Sequence, residues 1–164
     1  MPIRTVSVER ISITSSKPFD AVVSALEAAV GPPKIAEYQK QTEGAVSLAE
    51  MESAVQKAVG AAGLMLFLRL DLGAVLRKET GLDRPKIVRF LIGNPLIMRE
   101  MARHVPDAGS YAPVTILADE RPDGVYLTYD RMASFLAPYG SAEALAVARG
   151  LDAKVEKLLG EVAA

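Results

Sequence analysis

Residues Leu91–Pro106 read LIGNPLIMREMARHVP, and a change of period inside them organises the chain on either side. Before Gly93, Val88, Phe90 and Ile92 alternate against Ile87, Arg89 and Leu91, which is the period of a strand. After it, Ile97, Met98, Met101, Ala102 and Val105 form a stripe at helical intervals. Asn94 is a strong N-cap, Pro95 suits the first helical position, and Pro106 stops the helix. A strand over Lys86–Ile92 thus turns at Gly93 into a helix.

Downstream, Val114–Asp119 and Val125–Tyr129 are β-rich runs joined through Glu120-Arg121-Pro122-Asp123-Gly124. Pro fixes φ and Gly accepts a positive φ, so the pair reads as a hairpin. Ser134–Tyr139 is a short helix or turn, and Ser141–Val162 is a closing helix with Leu145, Ala148, Leu151, Val155, Leu158 and Val162 on one face. Gly150 within it marks a kink or a close contact.

Upstream, Leu64–Leu72 (LMLFLRLDL) is a strand. Leu64, Leu66, Leu68, Leu70 and Leu72 share one parity and read as a continuous core face; Met65, Phe67, Arg69 and Asp71 share the other. That second face grades from apolar to charged, as a pocket or an interface would. Gly73–Thr80 forms a short helix ended by Gly81. Ser47 and Glu50 make a capping box for a helix whose apolar face is Leu48, Met51, Val55 and Val59. Residues 34–46 are open between a short edge strand and a loop. Phe19, Val22, Val23, Leu26 and Val30 form a first helix, capped by Ser15 or Ser16 and ended by Gly31-Pro32-Pro33. Residues 3–14 read as a strand whose alternation slips, consistent with a bulge near Glu9-Arg10. The order is strand, helix, helix, strand, helix, strand, helix, hairpin, helix. It predicts one α+β domain over residues 1–164: a largely antiparallel sheet with helices packed on one face.

The chain has 164 residues, half of them hydrophobic, enough for a sizeable core. A net charge of −1, with its bases scattered, argues against a nucleic-acid partner. With no cysteine, disulfides, thiolate metal sites and cysteine nucleophiles are excluded. MPIRTVSVER lacks the apolar stretch of a signal peptide, and the longest apolar run, Ala61–Leu68, is too short to span a bilayer. The expectation is a cytoplasmic protein with no membrane partner.

Several stretches together resemble one bacterial and archaeal family, domain of unknown function 302. They are Leu70-Asp71 followed by Ala74 and Gly81, then Phe90-Leu91-Ile92-Gly93-Asn94-Pro95, then Ala112-Pro113 leading into VTILADERPDGVYLTYD. The opening ISITSSKPFDAVVSALEAAV is also similar to that family's. Leu72 and Ala112 depart from the His and Leu common at those positions in the family. The first departure weakens any chemistry by an Asp-His pair. The resemblance implies a TATA-binding-protein-like α+β fold and a homodimer, and no established activity.

Candidate chemistry is sparse. His104, the one histidine, shares a helix face with Met98 and Met101, where it could ligate haem or a metal. Near a helix C-terminus it is more simply a dipole-complementing residue, and neither metal nor cofactor is expected. The Gly93-Asn94-Pro95 helix start could meet a carboxylate or phosphate, helped by Arg69 or Arg99. Asp71, Asp119, Glu120 and Asp130 are the acids nearest strand ends, where two could converge for acid–base work, though such acids usually only solvate sheet edges. Tyr111, Tyr126, Tyr129 and Tyr139 are chiefly core-edge residues. The favoured expectation is a non-enzymatic homodimeric domain holding a small apolar or anionic ligand with Phe67, Arg69, Asp71, Asn94, Met101, His104 and Tyr129. The alternatives are a small hydrolase or isomerase and a dimeric interaction module without a ligand.

Overall fold

The computed structural model describes residues 3–31 and 35–164. Five strands form one sheet in the order β1-β5-β4-β3-β2, every neighbouring pair antiparallel: β1 Arg10–Ser15, β2 Met65–Asp71, β3 Ile87–Gly93, β4 Val114–Arg121 and β5 Gly124–Asp130. The helices are α1 Phe19–Val30, α2 Ile35–Glu43, α3 Leu48–Ala58, α4 Gly73–Thr80, α5 Pro95–Ala102, α6 Met132–Leu136 and α7 Ala142–Ala163. Short 3-10 turns occupy Pro106–Ser110 and Ala137–Tyr139.

One parity of each central strand builds the core. Val88, Phe90 and Ile92 of β3, Val114, Ile116 and Ala118 of β4, and Val125, Leu127 and Tyr129 of β5 are buried against α1, α5 and α7. The opposite parity, including Arg89, Thr115, Leu117 and Thr128, lies on the open face. The α+β architecture with helices on one face is therefore the one the element order implies. The hairpin turns as expected: Arg121 pairs with Gly124, and Gly124 has φ 147°, a conformation L side chains rarely adopt. The Ser47 capping box and the Asn94 cap both form.

Several expectations are corrected. The first strand begins at Arg10, not Ile3, so the slip in alternation is the strand's start and no bulge is needed. Pro18, not a serine, occupies the α1 N-cap; the Ser15 hydroxyl instead donates to the Ala163 carbonyl, fastening β1 to the end of α7. Helix α1 is followed by Gly31 at φ 77°, while Pro32 and Pro33 of the expected stop lie outside the described residues. Residues 35–43 are helical because Ile35, Tyr38 and Thr42 share one half-buried face and the Glu37 carboxylate accepts from the Gln41 amide one turn on. Helix α3 buries Ala54 and Val55, leaving Leu48 exposed. Helix α5 ends at Ala102, one turn before Pro106, and Pro106–Ser110 forms a 3-10 turn. A Cβ on Gly150 would meet nothing within 4 Å, so no close contact requires this glycine.

The largest correction concerns β2. Leu66 pairs with Ile92, but Leu68 pairs with Leu91; Phe67 is the extra residue of a bulge. One added residue reverses parity. Leu64 and Leu66 are buried on the helix side, whereas Leu68 and Leu70 fall opposite Leu91 and Arg89 on the open face and are 42% and 37% exposed. The five leucines do not share a face.

Candidate functional site

The bulge and the Gly93 turn together make a hollow of about 200 Å³ at one end of the sheet. Its wall is drawn from five elements: Tyr38 of α2, Phe67 of β2, Met98 and Met101 of α5, Pro113 before β4, and Leu151 of α7. Phe67 is set aside from the ladder by the bulge, and its ring meets Tyr38 edge-on, 6.5 Å between centroids at 80°. Gly93 opens the space. A Cβ there would lie 3.5 Å from the Phe67 ring and from Pro113, so any side chain longer than Ala's would project among them. Met101 is fully buried at the α5 wall and supplies a polarizable thioether.

Asn94 borders the hollow, and both polar atoms of its side chain already have a partner in the fold. Its Oδ1 accepts from the Leu96 amide at 2.9 Å, and its Nδ2 donates to the Gly63 carbonyl at 3.0 Å. It fixes the turn between β3 and α5 and ties it to the loop before β2. Among the described residues, no charged side chain lines this hollow. A ligand held there is therefore neutral and largely apolar in the part it inserts, because an ion would lose its hydration without gaining a partner.

The expected site residues divide. Phe67, Asn94 and Met101 come together here. Arg69 and Asp71 lie in a separate charged notch beside α1 and α4. There Arg69 pairs with Glu27 at 2.9 Å, and Arg77 grips both oxygens of Asp71 at 2.6 and 3.2 Å. The Arg77 hydrogen bonds hold the Asp71 carboxyl below the usual carboxylate range, which makes it a weaker base. Asp119 forms an ion pair with Arg121 at 2.5 Å. Arg99 pairs with Glu52 and Glu100, away from the hollow. His104 is exposed on the residues after α5 and does not border the hollow. Tyr129 is buried elsewhere in the core, where burial first and its bond to Asp152 second push its hydroxyl pKa well above the ordinary value.

Tyr38, Met98, Pro113 and Leu151 complete the wall without having been singled out as ligand contacts. Tyr38 sits in the stretch whose sequence was ambiguous, and Leu151 is one of several equivalent core leucines. Only Met98 and Pro113 carried a signal, through the α5 stripe and the Ala112-Pro113 pair. Among the described residues there is no cluster of three or more His, Asp or Glu able to hold a metal, and no helix long and apolar enough to cross a membrane.

A five-stranded antiparallel sheet covered on one face by helices, with an apolar hollow where β3 turns into α5, defines the class of domain. Residues 38–162 match the model of the family described as domain of unknown function DUF302, and the chain belongs to that family. The fold is shared with the crystal structure of an uncharacterized conserved DUF302 protein from Bacillus stearothermophilus. The TM-score is 0.64 at 12% sequence identity, over 94% of this chain and 98% of that one. No curated protein matches the sequence.

Proposed function

We propose that this chain is a non-enzymatic binding domain that holds a small neutral ligand in the hollow beside Gly93, and that it acts as a homodimer. The observation that carries the ligand reading is the wall itself: two aromatic rings, two thioethers and two prolines around unfilled space, with no charged side chain among the described residues that line it. Binding of 1-octanol and indole, followed by titration calorimetry and thermal shift, tests it. Both bind and raise the melting temperature, while octanoate binds more weakly because its carboxylate finds no partner. Gly93→Val, which places methyl groups in the space, abolishes both. Equal binding by the Gly93→Val protein, or no binding of either neutral probe, overturns the reading.

The dimer rests on a second observation. Leu68, Leu70, Leu72, Val75, Leu76 and Leu82, all large and exposed, come from β2, α4 and the loop behind it. Strand β2 is also an edge of the sheet. Exposed apolar side chains concentrated along a sheet edge suit burial by a second copy. Light scattering gives twice the chain mass, falling to one for Leu70→Asp with Val75→Asp; a monomeric native protein removes this part of the reading.

A further inference from the structure

The open face of the sheet carries a second hollow, also of about 200 Å³, and its chemistry is the reverse of the first. Arg89 of β3 and Thr115 of β4 form its base, with Asp130 of β5 beside them. Ser110, Tyr111 and Phe135 border it from the residues before β4 and from α6. The rings of Tyr111 and Phe135 are stacked, 4.7 Å between centroids and 13° between planes. The Tyr111 hydroxyl is fixed by that of Tyr139 at 3.0 Å, and the Arg4 guanidinium lies 4.0 Å from the Tyr139 ring. The aromatic border is therefore held in place before any ligand arrives.

The charge balance decides what such a hollow takes. Arg10, Arg69, Arg77, Arg84, Arg99, Arg103, Arg121 and Arg131 each sit beside a carboxylate. Arg89 does not: among the described residues no carboxylate lies within 4.0 Å of it. Its Nη2 donates to the Thr115 hydroxyl at 3.0 Å, which orients the guanidinium and leaves its other N–H groups free. The nearest acid of the hollow, Asp130, is already gripped by Arg10 through both oxygens at 2.6 and 2.8 Å. The hollow thus presents one oriented, uncompensated cation next to a stacked aromatic border. A guanidinium fork matches a carboxylate or phosphate, and the rings offer surface to a flat apolar body.

We propose that the notch where Arg89 meets the stacked rings of Tyr111 and Phe135 binds a small organic anion, a carboxylate or phosphate monoester borne on a flat apolar group. This site is distinct from the neutral hollow beside Gly93. Pro113 and Val114 border both, so the two share a wall and differ in everything that selects a ligand.

Benzoate and phenyl phosphate are the probes, titrated into the intact protein with amide chemical shifts as the readout. Benzyl alcohol is the control that keeps the ring and loses the charge. The anions move the signals of Arg89, Tyr111, Thr115 and Phe135 and bind at least about tenfold tighter than benzyl alcohol, and Arg89→Gln removes that advantage. Arg149→Gln, which deletes the same charge from an exposed position on α7, leaves binding unchanged. The Arg89→Gln protein still binds indole at the other hollow, provided that hollow is a site at all. Equal affinity for benzyl alcohol, undiminished binding by Arg89→Gln, or an equal loss in Arg149→Gln overturns the proposal.

Discussion

The Tyr129 hydroxyl donates to the Asp152 carboxylate at 2.6 Å inside the core, joining β5 to α7. The same carboxylate accepts from the Met132 and Ala133 amides at 2.7 and 3.0 Å, so it also satisfies the first turn of α6. One buried acid thus holds a strand end, a short helix start and the long closing helix in register. Asp152→Ala takes the acceptor from the Tyr129 hydroxyl and the Ala133 amide, leaves the Met132 amide only its longer 3.3 Å bond to the Tyr129 hydroxyl, and costs about 3 kcal/mol, whereas Tyr129→Phe, which leaves both amides paired with Asp152, costs about 1–2 kcal/mol. Urea unfolding measures both; equal costs would mean that the amides contribute little. The pH dependence has a fixed sign. Tyr129 keeps its proton in the folded state beyond the ordinary tyrosine value of 10.0, while the unfolded chain releases it there. Stability from this group is complete below that pH and declines as pH rises above it. Tyr129→Phe flattens that alkaline decline.

Asn94 separates two duties within one side chain. Its oxygen caps α5, and its amide nitrogen reaches the Gly63 carbonyl in the loop that leads to β2. Asn94→Ser keeps a capping oxygen and loses the second bond without setting an acceptor against the Gly63 carbonyl; Asn94→Ala loses both. The serine variant is expected about 1 kcal/mol below the native protein and the alanine variant about 2 kcal/mol below. If the two variants unfold at the same urea concentration, the Gly63 bond contributes nothing and the hollow does not depend on it.

Two glycines should respond to the same substitution with opposite signs. A Cβ on Gly60 would lie 2.5 Å from the Ala29 carbonyl oxygen and 2.6 Å from the Val30 carbonyl carbon, both backbone atoms at the end of α1. Backbone cannot rotate aside as a flexible side chain can, so Gly60→Ala is expected to cost about 2–3 kcal/mol. Gly150 lies inside α7 with open space around it, and Gly150→Ala gains up to about 1 kcal/mol in helix propensity. Thermal unfolding of the two variants moves in opposite directions.

What the sequence disclosed follows from where the signal is local. The Ser47 and Asn94 caps, the Pro122-Asp123-Gly124 turn and the alternation of β3 to β5 depend on neighbours a few residues away, and each is found as read. Helix α2 was not legible because it buries no residue fully and its apolar face is only Ile35 and Tyr38. The Tyr129–Asp152 bond was not legible because it links residues far apart in the chain; an Asp on the apolar face of α7 is its only trace. The candidate site was half visible. Phe67, Asn94 and Met101 gather, but Arg69 and Asp71 follow the parity of β2 into another notch, and the guanidinium of the open-face hollow belongs to Arg89. Residue parity carries a strand's two faces only while the ladder is unbroken, and nothing in LMLFLRLDL marks where the extra residue is inserted.

The bulge at Phe67 can be tested through two leucines that sequence parity treats alike. Leu66 stands before it, opposite Ile92 and 1% exposed; Leu70 stands after it, opposite Arg89 and 37% exposed. Leu66→Ala opens a cavity in the core and is expected to cost about 2–5 kcal/mol. Leu70→Ala removes contacts only on the open face, so the monomer's stability changes by about 0.5 kcal/mol or less. If the chain pairs through this edge as proposed, the effect of Leu70→Ala is read instead in the concentration at which that dimer dissociates. Comparable losses at the two positions in dilute urea titrations would mean that β2 runs unbroken. Leu68 and Leu70 would then belong to the core, and both the Phe67 wall of the hollow and the edge proposed for dimerisation would go with the bulge.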